Sequence, residues 1–272
     1  MKHTAFFISD STGITAETLG KALLSQFPKI KFKKLTIPYV NSLDKARETV
    51  MQINQVSRKD QAKVLVFSTL ANPEMRSILA DCDGMVMDFF DILIGPLEEE
   101  LQSKYAKEVG KLHKMPDLKT YDARIAAIDF ALNADDGINV KNYKNADVIL
   151  IGVSRSGKTP TCLYLALKFA IRAANYPITE ENINISHLPK DLIPYRKKLF
   201  GLTITSARLH EIREQRRPNS SYAKLAQCQK ELKTVEQIFK KEKIPYLDST
   251  AFSIEELATK ITQIKKITRH GL

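Results

Sequence analysis

The chain has 272 residues, of which 43% are hydrophobic, and a formal net charge of +11, which is enough apolar content for two ordinary domains. The first apolar run is too short for a signal peptide or a membrane span, and Cys82, Cys162 and Cys228 stand too far apart for a zinc cluster or a disulfide framework. The positive charge suits a polyanionic ligand or an acidic partner, but no nucleic-acid-binding pattern accompanies it. We therefore expect a cytoplasmic protein with neither a nucleic acid nor a membrane as partner.

The first hundred residues alternate between strand patterns and helix patterns. The predicted strands are residues 3–9, 32–40, 63–68 and 84–89, and the predicted helices are residues 15–26, 43–54 and 73–80. Alternation at this spacing is typical of βαβ units. The sequence thus predicts an α/β fold whose N-terminal domain is a doubly wound parallel sheet.

A hydroxyl-rich turn, Ser9-Asp10-Ser11-Thr12-Gly13, follows the first predicted strand and opens a helix. Ligands of doubly wound sheets bind beyond the carboxyl ends of the strands, and the start of a helix favours an anion. An ordinary helix cap with a glycine turn explains the same residues. Both interpretations remain open at this point.

Residues 95–133 are predicted to be mainly helical, with the acidic run 98–100 early in one helix and a polar break around Pro116. We place the domain connection there, which gives an N-terminal domain of residues 1–112 and a second domain of residues 113–272. The second helical stretch ends at Asp135-Asp136-Gly137. These carboxylates are candidates for metal binding or for orienting a hydroxyl group, although Asp-Asp-Gly is also a common turn.

The most specific motif is GVSRSGKT, which matches the phosphate-binding pattern GxxxxGK[ST] and lies between a predicted strand, 146–151, and a predicted helix, 160–170. Backbone N–H groups of such a loop bind phosphate oxygens, its lysine reaches the outer phosphates and its last hydroxyl ligates a divalent cation. The predicted nucleotide-binding residues are Gly152, Val153, Ser154, Arg155, Ser156, Gly157, Lys158 and Thr159, with Thr159 as metal ligand. A glycine turn that binds nothing is the alternative.

Beyond this loop, predicted strands at 182–185, 199–205 and 244–247 alternate with predicted helices at 207–215, 222–241 and 254–268. This pattern resembles the phosphate-loop kinases and predicts a kinase-like α/β domain. Four arginines at helical spacings could form a lid over bound phosphates, because guanidinium groups hold phosphate bidentately. They are Arg208, Arg213, Arg216 and Arg217, and a solvated basic helix is the alternative.

No run of four apolar residues ending in aspartate follows the loop, so the usual second metal-binding element of nucleotide hydrolases is missing from the sequence. An acidic group must come from elsewhere. Asp135 and Asp136 are the first candidates, and Asp129 and Asp248 are further ones.

Five segments carry a resemblance to a known family: FFISDSTGITAETLGKALLSQF, DFFDILIGPLEEEL, IDFALNADDG, GVSRSGKTPTCLYLA and RRPNSSYAKL. In these segments and in length the chain resembles the bacterial pyruvate, phosphate dikinase regulatory proteins and their sister regulators of phosphoenolpyruvate synthase. The SDSTG opening and Ser156 favour the dikinase branch.

The resemblance implies a bifunctional serine/threonine kinase and phosphorylase. Such an enzyme moves the β-phosphoryl group of ADP to an active-site threonine of its target, and inorganic phosphate later removes it as pyrophosphate. From their positions in and beside the loop, we expect Lys158, Arg155 and an aspartate, Asp135 or Asp136, to be the catalytic residues of that chemistry and Thr159 to bind Mg²⁺. The implied partners are the dikinase or the synthase, and the resemblance is compatible with a homodimer.

Two other functions fit the motif alone. A small-molecule kinase would use the arginines as a lid, and a nucleotide-sensing module would hold ADP without transferring anything. The additional N-terminal domain favours an enzyme that docks a large protein target.

Overall fold

The structure is a computed structural model that describes residues 3–107, 118–179 and 187–268. The chain divides into two compact units, Met1–Lys114 and Met115–Leu272. The predicted boundary at residues 112/113 falls between the first two described stretches, so its position stays a prediction. Over the described residues, no helix has the length and apolar character needed to cross a membrane.

The first unit is a four-stranded sheet connected by helices. Its strands are β1 (His3–Ile8), β2 (Phe32–Ile37), β3 (Val64–Ser68) and β4 (Gly84–Asp88), and its helices are α1 (Ile14–Leu24), α2 (Leu43–Asp60), α3 (Pro73–Ala80) and α4 (Phe89–Leu101). The order is β2-β1-β3-β4, and all neighbouring strands are parallel. The order reverses between β1 and β3, where doubly wound sheets open a crevice.

The central strand β1 explains why helices cover both faces of this sheet. Phe6 and Ile8 pack with side chains of α2 and α3, whereas Ala5 and Phe7 pack with side chains of α1 and α4. All four residues are fully buried. A strand of a covered parallel sheet is apolar on both faces, so its sequence shows a continuous hydrophobic run.

The second unit is also a four-stranded parallel sheet. Its strands are β5 (Val148–Gly152), β6 (Ala173–Pro177), β7 (Leu199–Thr203) and β8 (Tyr246–Asp248), in the order β6-β5-β7-β8. Its α-helices are α5 (Leu118–Asn133), α6 (Lys158–Phe169), α7 (Ser206–Arg216), α8 (Leu225–Lys241) and α9 (Ile254–Lys265). Short 3₁₀ helices cover Val140–Asn145, Lys190–Lys198 and Ser221–Ala223.

The faces of β5 pack against different helices. Ile149 and Ile151 belong to a core cluster with side chains of α5, α7 and α8, and Val148 and Leu150 belong to one with side chains of α6 and α9. Helices therefore cover both faces of the second sheet as well. Two parallel α/β units confirm the predicted fold class.

One helix begins earlier than predicted. Residue 89 was assigned to a strand and the helical pattern to residue 95 onward, but α4 begins at Phe89. The carboxylate of Asp88 accepts hydrogen bonds from the N–H groups of Phe90 and Asp91, which ends β4 and caps the helix. The acidic run Glu98–Glu100 therefore lies near the end of α4 and not early in a helix.

One strand was not predicted. Residues 173–177, AANYP, form β6, whereas the predicted strand at 182–185 lies outside the described residues. Alanine, asparagine and proline are depleted in strands, and β6 is at the edge of its sheet, where proline is tolerated.

Candidate active site

The 152–159 loop connects β5 to α6, as the motif predicts. Gly152 ends β5, and a Cβ atom there would lie 2.2 Å from the backbone oxygen of Leu202 on β7. Gly157 precedes α6 with a φ of +88°, a left-handed conformation that favours glycine. The close approach of β7 therefore requires the first motif glycine, and the local backbone conformation favours the second. The positive end of the α6 dipole points at the loop.

The loop is closed around the carbonyl oxygen of Val153. This oxygen accepts hydrogen bonds from the Ser156 backbone N–H (3.3 Å), the Ser156 hydroxyl (3.0 Å) and the Lys158 ammonium (2.8 Å). Ser156 is fully buried, Ser154 is half-buried, and Arg155 is exposed with a φ of +77°. Arg155 is thus the loop side chain that solvent or a ligand reaches first.

Lys158 has an unusual environment for a lysine, because only 4% of it is exposed. Burial lowers its pKa to about 8, although the carboxylates of Asp136 and Asp135 oppose this shift. Its ammonium donates to a neutral carbonyl oxygen rather than to a carboxylate. A phosphate oxygen would be a better partner for this charge than the Val153 carbonyl.

Thr159 contacts the acidic turn that precedes β5. Its hydroxyl donates to the Asp135 carboxylate, with oxygen–oxygen distances of 3.0 and 3.4 Å. The side-chain amide of Asn175 on β6 donates to Asp135, to the Thr159 hydroxyl (2.9 Å) and to Asp136 (3.2 Å). The amide therefore connects both predicted aspartates to the predicted metal ligand.

Asn175 is held firmly by its own backbone. Its N–H donates to the Ala134 carbonyl, and its carbonyl accepts from the Gly137 N–H and from the buried Tyr143 hydroxyl (2.9 Å). Burial raises the pKa of Tyr143, so this hydroxyl keeps its proton. Asn175 itself is 1% exposed, and its Oδ1 atom has no hydrogen-bond partner among the described residues.

The two aspartates of the turn differ in exposure. Asp135 is half-buried and accepts hydrogen bonds from both Thr159 and Asn175, whereas Asp136 is exposed, with a φ of +48°. The other two candidates lie elsewhere: Asp129 is exposed on α5, and Asp248 ends β8 and accepts from the Thr250 N–H. The structure therefore brings Asp135 and Asp136 to Thr159.

The four predicted lid arginines have different environments. Arg208 is exposed and forms an ion pair with Glu211, and Arg216 and Arg217 are exposed at the end of α7. Arg213 is completely buried and donates to the backbone oxygen of Ser154 at 3.2 Å. It therefore contacts the loop from within the protein, through the loop backbone.

The possible metal ligands at this position are the Thr159 hydroxyl and the Asp135 carboxylate. The Asn175 Oδ1 atom, which has no hydrogen-bond partner among the described residues, lies in the same cluster. These are the hard oxygen ligands that Mg²⁺ prefers. Among the described residues, no group of three or more His, Cys, Asp or Glu side chains could hold a metal ion. Magnesium usually takes one or two carboxylates together with substrate phosphates and water, so the residues present fit it.

The hydroxyl-rich turn of the first unit forms contacts within the protein. Gly13 precedes α1 with a φ of +81°, and the carboxylate of the buried Asp10 accepts from the Ala71 N–H. Burial raises the pKa of Asp10, and the Ala71 N–H opposes this shift. No side chain of the described residues caps α1, and Asp10 instead connects the turn to the segment between β3 and α3.

Asn175 was not among the predicted site residues, because AANYP does not have a strand pattern. The signal that was available is positional. A phosphate-binding loop lies where the strand order of the sheet reverses, so a strand is needed on each side of β5. One neighbour is β7, and the strand on the other side, β6, has its carboxyl end next to Thr159.

By architecture the chain is one of the parallel α/β proteins, which bind ligands beyond the carboxyl ends of their strands. The model of the kinase/pyrophosphorylase family matches residues 5–262. The chain belongs to that family.

Curated relatives match over nearly the whole chain. A protein of Marinobacter nauticus is 51% identical over 270 residues, which cover 99% of this chain and 100% of the relative. Proteins of Legionella pneumophila strain Corby and of Hahella chejuensis are 51% and 50% identical to this chain. Each match covers 99% of this chain and 99% of the relative. Each is named "Putative phosphoenolpyruvate synthase regulatory protein". These matches confirm the resemblance to the regulatory proteins.

Proposed function

We propose that this protein is a bifunctional regulator that phosphorylates a threonine of a phosphoenolpyruvate-forming enzyme with ADP and removes the phosphoryl group with inorganic phosphate. The observation that carries the proposal is the cluster of Lys158, Thr159, Asp135 and Asn175 at the start of α6. It combines a buried cation with oxygen ligands next to a phosphate-type loop, and the exposed carboxylate of Asp136 is joined to it through Asn175. Family membership supports the choice of phosphoryl transfer.

We propose phosphoenolpyruvate synthase as the first target. The sequence-based preference for the dikinase depended on Ser156 and the SDSTG turn alone. The relatives named as synthase regulators match over nearly the whole chain at 50–51% identity. We propose the dikinase as the second target to be tested.

In the kinase direction, the loop N–H groups and Lys158 bind the phosphates of ADP, and Arg155 contacts the transferred group from the exposed side of the loop. The target threonine oxygen forms a bond to the β-phosphorus while the bond to the bridging oxygen breaks, and AMP leaves. The threonine proton goes to a carboxylate. Asp136 fits that task, because Asp135 already accepts hydrogen bonds from Thr159 and Asn175.

Magnesium bound by Thr159 and Asp135 would neutralise charge on the phosphate oxygens. In the reverse direction, an oxygen of inorganic phosphate attacks the phosphothreonine phosphorus. The bond to the threonine oxygen breaks, that oxygen regains a proton, and pyrophosphate leaves. Inorganic phosphate is already an anion at neutral pH, so this direction depends less on a general base.

The test is mass spectrometry of purified synthase, and separately of purified dikinase, after incubation with this protein, Mg²⁺ and ADP. We expect one threonine to gain a phosphoryl group and to lose it again with phosphate and release of pyrophosphate. Lys158→Ala should abolish both reactions. No modification of either enzyme, with ADP or with ATP, would contradict the proposal and favour a small-molecule kinase.

Asp135→Asn and Asp136→Asn test the proton acceptor. We expect Asp136→Asn to lower the kinase rate by a factor of about 10² to 10⁴ and to affect phosphorolysis less. Asp135→Asn should weaken both directions, because both use the Thr159 cluster. If both variants kept full kinase activity, the assignment of the base would be wrong.

A further inference from the structure

Helix α7 and the segment between α7 and α8 supply a second set of contacts to the loop, from the side facing the protein interior. Arg213 on α7 donates through one guanidinium nitrogen to the Ser154 backbone oxygen (3.2 Å) and to the Glu231 carboxylate on α8 (2.7 Å). Its other terminal nitrogen donates to the Tyr222 backbone oxygen at 3.1 Å. Arg213 thus joins the loop, α8 and the segment between α7 and α8.

Tyr222 adds a direct contact to the same loop residue. Its hydroxyl donates to the Ser154 hydroxyl at 2.9 Å, and its ring lies 4.0 Å from the Arg213 guanidinium carbon. Ser154 is therefore held at its backbone by Arg213 and at its side chain by Tyr222. This geometry fixes the position of the loop residue directly before Arg155.

The charge of Arg213 is compensated inside the protein. Arg213 is 0% exposed and Glu231 is 7% exposed. Burial is the largest influence on the Arg213 pKa and lowers it, but the hydrogen bond to Glu231 and the negative charge of that carboxylate, with smaller contributions from Tyr222 and Cys228, together outweigh burial and raise the pKa. A guanidinium that is fully buried and already bound to a carboxylate is not available as a phosphate ligand.

We propose that Arg213, Glu231 and Tyr222 form a loop brace, a set of positioning residues that holds Ser154 and thereby presents the 152–159 loop in the geometry that binds nucleotide phosphates. Arg213 acts through the loop backbone and not as a lid arginine. The nucleotide readouts below depend on the proposed function, whereas the brace itself is a property of the loop.

The test compares a double variant and a single variant with a control on α7. Arg213→Met combined with Glu231→Met removes both charges together, so no buried carboxylate is left unpaired. Tyr222→Phe removes only the hydroxyl that reaches Ser154. Gln215→Met, which changes an exposed polar side chain of α7 that is not among the predicted lid residues, is the matched control.

Two readouts are taken on the full chain: the KM for ADP against kcat, and amide hydrogen exchange of peptides covering residues 152–159. We expect the double variant to raise the KM for ADP about tenfold, with a smaller change in kcat and several-fold faster loop exchange. Tyr222→Phe should change both in the same direction to a lesser extent, and Gln215→Met should change neither. A purely structural role would reduce the amount of active enzyme, which lowers apparent kcat at unchanged KM.

A folded double variant with wild-type KM and wild-type loop exchange would overturn the brace. If the double variant does not fold, Tyr222→Phe decides, and unchanged KM and exchange in that variant would equally overturn it. If the wild-type protein does not bind ADP, the proposed function has failed. Loop exchange in the double variant and in Tyr222→Phe then still decides whether the brace exists.

Discussion

The charge on Lys158 is the residue-scale feature that most directly links stability to function. Burial lowers its pKa to about 8, compared with 10.5 for a lysine in the unfolded chain. Between these values the unfolded chain binds more protons than the folded protein, so the free energy of unfolding rises with pH. We expect the Lys158 contribution to this free energy to increase by about 2 kcal/mol from pH 8 to pH 10.

Urea unfolding of the wild type and of Lys158→Met at both pH values measures this contribution. Methionine has a similar length and does not titrate, so the difference in pH dependence between the two proteins isolates the lysine. The wild type should gain stability relative to Lys158→Met as the pH rises. Parallel pH profiles for the two proteins would show that Lys158 titrates normally.

Asn175 provides the second residue-scale prediction. Its amide donates to Thr159, Asp135 and Asp136, and hydrogen bonds to charged groups each contribute about 1.5–3 kcal/mol. We expect Asn175→Ala to lower kcat for phosphoryl transfer roughly tenfold to hundredfold. Asn175→Asp should lower it further, because a third carboxylate repels the other two.

Asn145→Ala is the control for this prediction, since Asn145 is exposed and its amide donates only to Asn142 among the described contacts. It should keep wild-type kcat. Initial rates of target phosphorylation measure both variants. A folded Asn175→Ala protein with wild-type kcat would mean that Thr159 and the aspartates hold their positions without the amide.

The loop motif predicted Lys158 and Thr159 at the carboxyl edge of the sheet, because the glycine spacing and the flanking patterns are local properties of the chain. The environment of Arg213 was not predictable in the same way. Arg213 follows the fully buried Leu209 by four residues, which puts both on one face of α7. The spacing identifies a shared face, but only the packing of α8 shows that this face is buried.

The start of α4 gives a prediction at the scale of elements. Asp88 accepts from the N–H groups of Phe90 and Asp91 and also from the Ser68 hydroxyl on β3. Removing this cap should lower the free energy of unfolding by about 1.5 kcal/mol. We therefore expect Asp88→Ala to unfold at lower urea concentration, and Asp88→Asn to keep most of the stability because its amide oxygen still accepts from the N–H groups of Phe90 and Asp91.

Asp44→Ala is the comparison for the cap. Asp44 lies in the first turn of α2 with its side chain 87% exposed, so its loss should change the free energy by less than about 0.5 kcal/mol. Equilibrium urea unfolding of the three variants measures the difference. Equal midpoints for Asp88→Ala and the wild type would mean that the cap contributes nothing.

Elements with a clear hydrophobic pattern in the sequence were predictable, and elements without one were not. The strands β1 and β5 are continuous apolar runs covered on both faces, so their sequences identify them. The edge strand β6 has only five residues, including Asn175 and Pro177, and is defined by its pairing with β5. Tertiary pairing therefore determines the one strand that supplies Asn175 to the site.

At the scale of the whole molecule, each unit has its own core. The clusters built around β1 contain only residues of the first unit, and those built around β5 contain only residues of the second. All residues of the candidate active site and of the loop brace belong to the second unit. A unit with a closed core and a complete site should fold and bind its ligand alone.

This separation predicts different behaviour for binding and for target modification. A fragment of residues 115–272 should unfold cooperatively and bind ADP with an affinity close to that of the full chain, measured by calorimetry. Its rate of phosphorylation of the target enzyme should fall at least tenfold, because a docked protein substrate gains most from surface outside the site. Free first unit added in excess should not restore that rate. If the fragment modified the target as fast as the full chain, docking would have to be a property of the second unit, and the first unit would need another role.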